Sequence, residues 1–351
     1  MKSIFVVGRF GSGKTAICLA MAMKFKEEGY RVGYFKPLGF LPSISGREDR
    51  DVTLMQTICG CDRPHDELVM MHIGPHYLSR YQKDSDHLER IMEGYEKVAA
   101  DCDVVIVEGT VFPHIMASLG LDAPSLAHRM QAQTLIVNSV EDDYTLDRIM
   151  LYQDYIQSKQ AHLLGVLFNN VPRPFLAKTE GVYQPILEQA GTDVLGIIPR
   201  NTVIAAPTVK TYFDVLGGEL LTGEDNLNDL VEEVMVGAMS LDGAISYMRR
   251  APNKAFITGG DRSDLALAAL ETSTSVIILT GGMYPDVRVI ARAADKSVPV
   301  ILVHHDTYTT IEKLREVSRK LGPEDKQAIA AAKDGFEKHC KWETIRNSVG
   351  L

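Results

Sequence analysis

The stretch Ile4-Phe5-Val6-Val7-Gly8-Arg9-Phe10-Gly11-Ser12-Gly13-Lys14-Thr15 decides the fold. Four apolar residues predict a buried strand. The next eight read G-x-x-x-x-G-K-T, a phosphate-binding P-loop in the context it needs, strand before and helix after. Gly8, Gly11 and Gly13 permit backbone conformations that a Cβ would forbid, so the loop N–H groups around Ser12 can turn inward toward phosphate oxygens. Lys14 adds a positive charge over the β- and γ-phosphates, and the Thr15 hydroxyl can ligate Mg²⁺. A helix starting near Lys14 aims the positive end of its dipole at the same anion. Two other readings compete: a tight strand-to-helix turn and nothing more, or the dinucleotide fingerprint Gly11-x-Gly13-x-x-Ala16. The fingerprint wants an acidic residue closing the second strand, whereas Arg31-Val32-Gly33-Tyr34-Phe35 ends in Lys36. A nucleoside triphosphate is the expected ligand.

At 351 residues the chain is long for one domain and comfortable for two. Its net charge of −9 argues against a nucleic-acid or anionic-membrane partner. No apolar run reaches membrane-spanning length, and the start of the sequence enters a strand without a signal peptide. Five scattered cysteines suggest no disulfide framework or zinc site, so a cytoplasmic location is expected.

Continuous apolar strands at Val104–Val107, Thr134–Asn138, Leu163–Phe168 and Val194–Ile198 alternate with helical patterns near 122–131, 144–159 and 178–190. That alternation means α/β: a P-loop NTPase-type parallel sheet with helices on both faces. Residues 38–50 read as a loop, with a helix starting near Asp51. Residues 60–85 resist assignment. His72-x-x-x-His76 has metal-ligand spacing, but Gly74-Pro75 would break the helix it requires. Asp86-x-x-Glu89 suggests a capping box. Gly217-Gly218 and the polar run to Asn226 mark a boundary, after which a smaller βα series has strands near 235–238, 255–258, 276–279 and 300–304. The expected organisation is 1–215, 216–321 and a helical tail, 322–351, whose Trp342 docks on one of the domains.

Ligands of parallel α/β sheets bind at the carboxyl ends of the strands. That edge carries the loop, Lys36, Glu108 and Asn169. Glu108 is the natural carboxylate to join Thr15 at a metal, with Asp51 next, and Lys36 supplies a second cation where charge shifts during phosphoryl transfer.

Together the loop, Gly29-Tyr30-Arg31-Val32-Gly33-Tyr34-Phe35-Lys36-Pro37, Val107-Glu108-Gly109 and Asn169-Asn170-Val171 resemble dethiobiotin synthetase over about the first 200 residues. The resemblance implies phosphate contacts from Lys14 and Lys36, magnesium held by Thr15, Asp51 and Glu108, and adenine recognition by Asn169. Two departures stand out. That family's loop is longer and carries an aspartate where this chain has Arg9-Phe10, and its V-E-G strand continues in small residues where this chain has Thr110-Val111-Phe112. The substrate pocket of that family is therefore not expected.

Further on, Gly260-Asp261-Arg262-Ser263-Asp264, Leu279-Thr280-Gly281-Gly282, Tyr284-Pro285-Asp286 and Val236-Gly237-Ala238-Met239 resemble the DRTGG domain. The pairing is similar to the N-terminal regulatory part of long bacterial phosphate acetyltransferases. With no catalytic acetyltransferase domain in this sequence, that activity is not expected. Gly260, Asp261, Arg262, Gly281 and Gly282 form a candidate anion site, and the glycines have an equal claim as mere turn formers. The resemblances imply an ATP- and Mg²⁺-binding regulatory protein linked to acyl-phosphate and CoA metabolism. A homodimer and a small carboxylate metabolite or CoA-metabolism enzyme as partner are implied with it. The alternative is an ATP-dependent ligase-like enzyme that activates a carboxylate or carbamate.

Overall fold

The computed structural model describes residues 2–40, 49–81, 86–315, 317 and 319–351. Two compact units are present: Met1–Ile204 with Leu321–Leu351, and Ala205–Lys320. Among the described residues no helix is long and apolar enough to cross a membrane.

The first unit is built on a parallel sheet of seven strands: β1 (Ser3–Val7), β2 (Val32–Phe40), β3 (Val69–Ile73), β4 (Val104–Glu108), β5 (Gln133–Ser139), β6 (His162–Val171) and β7 (Val194–Pro199). Their order is β3-β2-β4-β1-β5-β6-β7. Every residue of β1 and β4 is buried, which is why these strands read as unbroken apolar runs rather than alternating ones. β1 lies between β4 and β5, with Val6 opposite Glu108 and Val7 opposite Ile136. There the chain's progress across the sheet reverses, so the loop after β1 opens into the crevice where such sheets take ligands. Helix α1 (Lys14–Glu27) follows with nine buried residues and is closed by Gly29 at φ +89°, a conformation that favours glycine.

Three features depart from the sequence reading. β2 does not end at Lys36-Pro37 but runs on to Phe40, pairing beyond Phe35 with β3 instead of β4. Pro37 is tolerated because β2 changes partner there, which relieves the ladder of one donor. β3 itself falls in the stretch left unassigned; it is a five-residue strand at the sheet's edge whose alternating burial includes His72, too short to announce itself by pattern. Asp86 sits at the N-cap of the helix His87–Ala99, but its side chain makes no capping hydrogen bond. Helix α2 (Arg50–Cys59) starts close to the expected point, capped by Asp49, whose carboxylate accepts from Asp51 N at 3.1 Å. Residues 41–48 of the expected loop lie outside the described residues.

The closing helices, Lys326–His339 and Trp342–Ser348, belong to the first unit. Lys341 N donates to Leu195 O at 2.7 Å, tying the turn between them to β7. Trp342 packs edge-on against Phe25 of α1, ring centroids 4.6 Å apart, and against Phe336 at 6.0 Å. Its indole N–H donates to Glu28 Oε1 at 2.6 Å. The last helices thus grip the far end of the helix that begins at Lys14.

In the second unit five strands, β8 (Glu219–Thr222), β9 (Glu233–Val236), β10 (Lys254–Gly259), β11 (Thr274–Thr280) and β12 (Val300–Leu302), take the order β8-β12-β11-β10-β9. All pairings are parallel except β8 with β12. One sheet face buries Ala255, Ile257, Val276, Ile278 and Ile301, and the other buries Ile277, Leu279 and Val300 under the helices Ser263–Leu270 and Val287–Asp295. The period of two in these strands sends alternate residues to two separate cores.

Trp342→Ala should lower the stability of the first unit by about 3–5 kcal/mol, the range for deleting a buried aromatic ring. Chemical denaturation followed by far-UV circular dichroism measures it, and a change under about 1 kcal/mol would show that the closing helices do not brace α1.

Candidate functional site

The P-loop is shaped by close approach. A Cβ on Gly8 would lie 2.0 Å from the Val137 carbonyl oxygen of β5, and one on Gly13 would lie 2.2 Å from Asn169 Nδ2. Gly11 and Gly13 also take φ of +73° and +82°, where other residues are strained. Asn169, in β6, donates from Nδ2 to Ser12 O at 2.9 Å and so braces the loop from the side. Gly13 caps α1, whose first-turn N–H groups have no intrahelical partners and face the loop. The hydroxyls of Ser12 and of Thr110, beyond β4, are buried without a hydrogen-bond partner among the described residues. Orphaned hydroxyls beside a glycine cradle suit a ligand rich in acceptor oxygens.

Lys14, Lys36 and Glu108 are buried in this corner, exposed by only 8%, 6% and 3%. Lys14 Nζ donates to Arg9 O at 2.9 Å. Burial pulls its ammonium down to about 8, against the charge of Glu108, which acts the other way. Burial also disfavours the Lys36 ammonium, but Asp51, Glu108 and Asp49 outweigh it and raise its pKa. Lys36 Nζ lies 2.7 Å from Asp51 Oδ2 and 2.8 Å from Asp49 Oδ2. Glu108 is raised by burial, with Lys36 the strongest opposing influence. Each of its oxygens accepts one hydroxyl: Oε1 from Thr15 at 2.7 Å and Oε2 from Tyr34 at 2.8 Å.

Residues expected from the sequence to share one edge do meet here: Lys14, Thr15, Lys36, Asp51 and Glu108 around the loop, with Asn169 against its backbone. Mg²⁺ fits this donor set. Among the described residues no group of three or more His, Cys, Asp and Glu side chains could hold a metal alone. Mg²⁺ needs no such cage, being bound by one or two protein oxygens with phosphate oxygens and water completing the shell; Thr15 and Glu108 would supply the first, with Asp51 beside them. His72 lies in β3 and His76 beyond it, at the N-cap of the short turn Tyr77–Ser79, so the two do not share a helix.

Three participants were not foreseen. Asp49 shares Lys36 with Asp51, and the mixed-charge run Arg47-Glu48-Asp49-Arg50-Asp51 is its only trace in the sequence. Tyr34 stands two residues before Lys36, and the strand period could have found it. Glu141, just beyond β5, takes Arg9 in a two-pronged pair with both N···O distances 2.6 Å. The arginine that stands in place of an aspartate in the loop is therefore turned onto a carboxylate of its own.

In the second unit, Gly260, Asp261 and Arg262 follow β10, and Gly281 and Gly282 follow β11, at one sheet edge. The glycine donors are already used: Gly260 N to Thr280 O at 3.2 Å, Gly281 N to His305 O at 2.8 Å and Gly282 N to Val303 O at 2.9 Å. A Cβ on Gly260 would fall 1.7 Å from Met283 O, so this glycine lets two turns touch. Arg262 is clamped on Asp264, with Nε and Nη2 each 3.0 Å from a carboxylate oxygen. These glycines serve the turns, and any anion would have to draw Arg262 from Asp264.

Comparison with known proteins agrees with this division. Residues 2–208 match the family model described as an AAA domain, and residues 212–317 match the DRTGG domain. The chain is 24% identical to the phosphate acetyltransferase of Nitratidesulfovibrio vulgaris, over 93% of this chain and 49% of that protein. It is 26% identical to the phosphate acetyltransferase of Pseudomonas aeruginosa, over 97% of this chain and 51% of that protein. The chain thus spans about half the length of these curated relatives. An ATP-dependent dethiobiotin synthetase of Methanococcus vannielii is 24% identical over 56% of this chain and 92% of its own. Among solved structures, the CBS and DRTGG domains of Clostridium perfringens pyrophosphatase with diadenosine tetraphosphate align at 19% identity over 37% of this chain and 66% of that one, TM-score 0.29. The septum site-determining protein of Pyrococcus horikoshii with Mg-ADP aligns at 16% over 58% and 83%, TM-score 0.35. With residues 2–208, more than half its length, matching one family model, the chain belongs to the AAA domain family in its dethiobiotin-synthetase-like form, followed by a DRTGG domain.

Proposed function

We propose that this protein binds ATP with Mg²⁺ at the P-loop and that its DRTGG domain couples that state to a metabolite or to a second copy of the chain. The protein would then be a nucleotide-responsive regulator linked to acyl-phosphate and CoA metabolism. The observation that carries the reading is the glycine cradle at Gly8–Thr15, with buried Lys14 and Lys36 beside it, in a chain matching about half of each phosphate acetyltransferase relative.

In this reading Lys14 exchanges the Arg9 carbonyl for β- and γ-phosphate oxygens, together with the first-turn N–H groups of α1. Lys36, held by Asp49 and Asp51, would face the γ-phosphate from the other side. Mg²⁺, when bound, neutralises phosphate charge. Asn169 has its amide nitrogen on Ser12 O, so a contact with adenine would use its oxygen as acceptor.

The second reading, a ligase that passes the γ-phosphate to a carboxylate or carbamate, is favoured by the completeness of the Lys36, Asp49, Asp51 and Glu108 set. Against it stands the surface beyond β4. Phe112 is exposed and stacks on His114 with ring centroids 5.6 Å apart, so aromatic rings stand where the resemblance implies small residues beside a substrate.

Calorimetry with ATP, with and without Mg²⁺, tests the proposal. Wild type should bind, and Lys14→Ala should lose roughly 10–100-fold in affinity, as expected for a hydrogen bond to a charged group. A wild type that binds no nucleoside triphosphate would refute both readings. Phosphate release that rises strongly with one small carboxylic acid would select the ligase. For the DRTGG domain, Arg262→Ala should weaken pyrophosphate binding roughly tenfold if the arginine clamps an anion, and unchanged affinity would leave it a structural residue.

A further inference from the structure

Glu108 owes its orientation to a residue outside the phosphate loop. Tyr34 lies on β2 two positions before Lys36, so the strand's period places both on one face. β2 runs parallel to β4 with Tyr34 opposite Ile106, two residues short of Glu108. The two sites of the carboxylate are not equivalent. Thr15, on the phosphate side, holds Oε1, while the Tyr34 hydroxyl, from a ring only 1% exposed, holds Oε2. A buried tyrosine is a stiff donor, because its ring has little freedom to follow a carboxylate that turns away.

We propose that Tyr34 is a positioning residue that fixes Glu108 by Oε2 and reserves Oε1 for a divalent cation shared with Thr15. The proposal rests on the Mg-nucleotide reading above and names the residue that makes the metal side of that site. A cation drawn to Oε1 and to the lone pairs of Thr15 would compete with the Thr15–Glu108 hydrogen bond and would leave Oε2 to Tyr34. The Tyr34 contact would then be the anchor of the carboxylate. Without it, Glu108 is left to the pull of Lys36, the cation whose charge acts on it most strongly.

Tyr34→Phe removes the hydroxyl and keeps the ring that fills the core. Calorimetry with ATP should show an affinity without Mg²⁺ within about twofold of wild type, and a gain on adding Mg²⁺ that is roughly 5–10-fold smaller, the weight of one hydrogen bond. Glu108→Gln should lose the same gain, and adding Tyr34→Phe to it should cost nothing more, because one residue acts through the other. A purely structural tyrosine would instead weaken binding equally with and without Mg²⁺, and its effect would add to that of Glu108→Gln. Either of those results, or a full Mg²⁺ gain in Tyr34→Phe, overturns the proposal while the nucleotide reading stands. A wild type that fails to bind ATP removes both together.

Discussion

Two lysines and a glutamate cannot be taken out of water separately. Lys14, Lys36 and Glu108 are all nearly inaccessible, and a buried charge persists only where partners replace its hydration. That constraint organises the P-loop side of the first unit. Lys36 calls for two carboxylates, which arrive from the cap and first turn of α2, at 2.8 and 2.7 Å. Glu108 calls for donors, which come from Thr15 on α1 and Tyr34 on β2. Taking one member from such a set leaves the others uncompensated, a loss of about 3–5 kcal/mol for a buried pair. The corner is therefore part of what holds β2, β4, α1 and α2 in place, as well as a place for a ligand.

The loop is held by a different kind of force. Gly8 and Gly13 allow its backbone to press on β5 and on Asn169 more closely than any side chain would permit. Arg9 lies on Glu141, and Lys14 rests on the Arg9 carbonyl. The ammonium is thus partly satisfied by the loop itself, and an anion would add a charge–charge attraction that a neutral carbonyl lacks. At its opposite end α1 is held by Trp342, which packs on Phe25 and is backed by Phe336, so the helix whose dipole faces the loop is anchored at both ends.

The DRTGG unit follows the opposite logic. Its glycine turns look like an anion nest, yet their N–H groups bond to the carbonyls of Thr280, Val303 and His305, and its arginine is paired two residues away. Its apolar side chains pack into three clusters against the two faces of the sheet.

Much of the fold was legible in the sequence because local rules suffice for it. Buried parallel strands must be continuous apolar runs, a P-loop must follow one of them, and the C-terminal ends of such strands share an edge. Those rules alone placed Lys14, Thr15, Lys36, Glu108 and Asn169 together and marked off two βα series. What they could not reach depends on chain segments far apart in sequence. β3 and β8 are short edge strands that exist by virtue of their neighbours, and Pro37 stays in a strand because β2 changes partner there. Asp49 and Asp51 were known to be acidic, but only folding decides that both turn onto Lys36. The apparent anion nest was read from glycine spacing, whereas the destination of an N–H group is settled by which carbonyl the tertiary structure brings to it. Sequence by itself determined the chemistry available at the sheet's edge, since the residue types and strand ends are local. Tertiary structure decided which charges neutralise one another and which oxygen of Glu108 faces the phosphate loop, because pairing out of water depends on distances of a few ångströms between segments the sequence keeps apart.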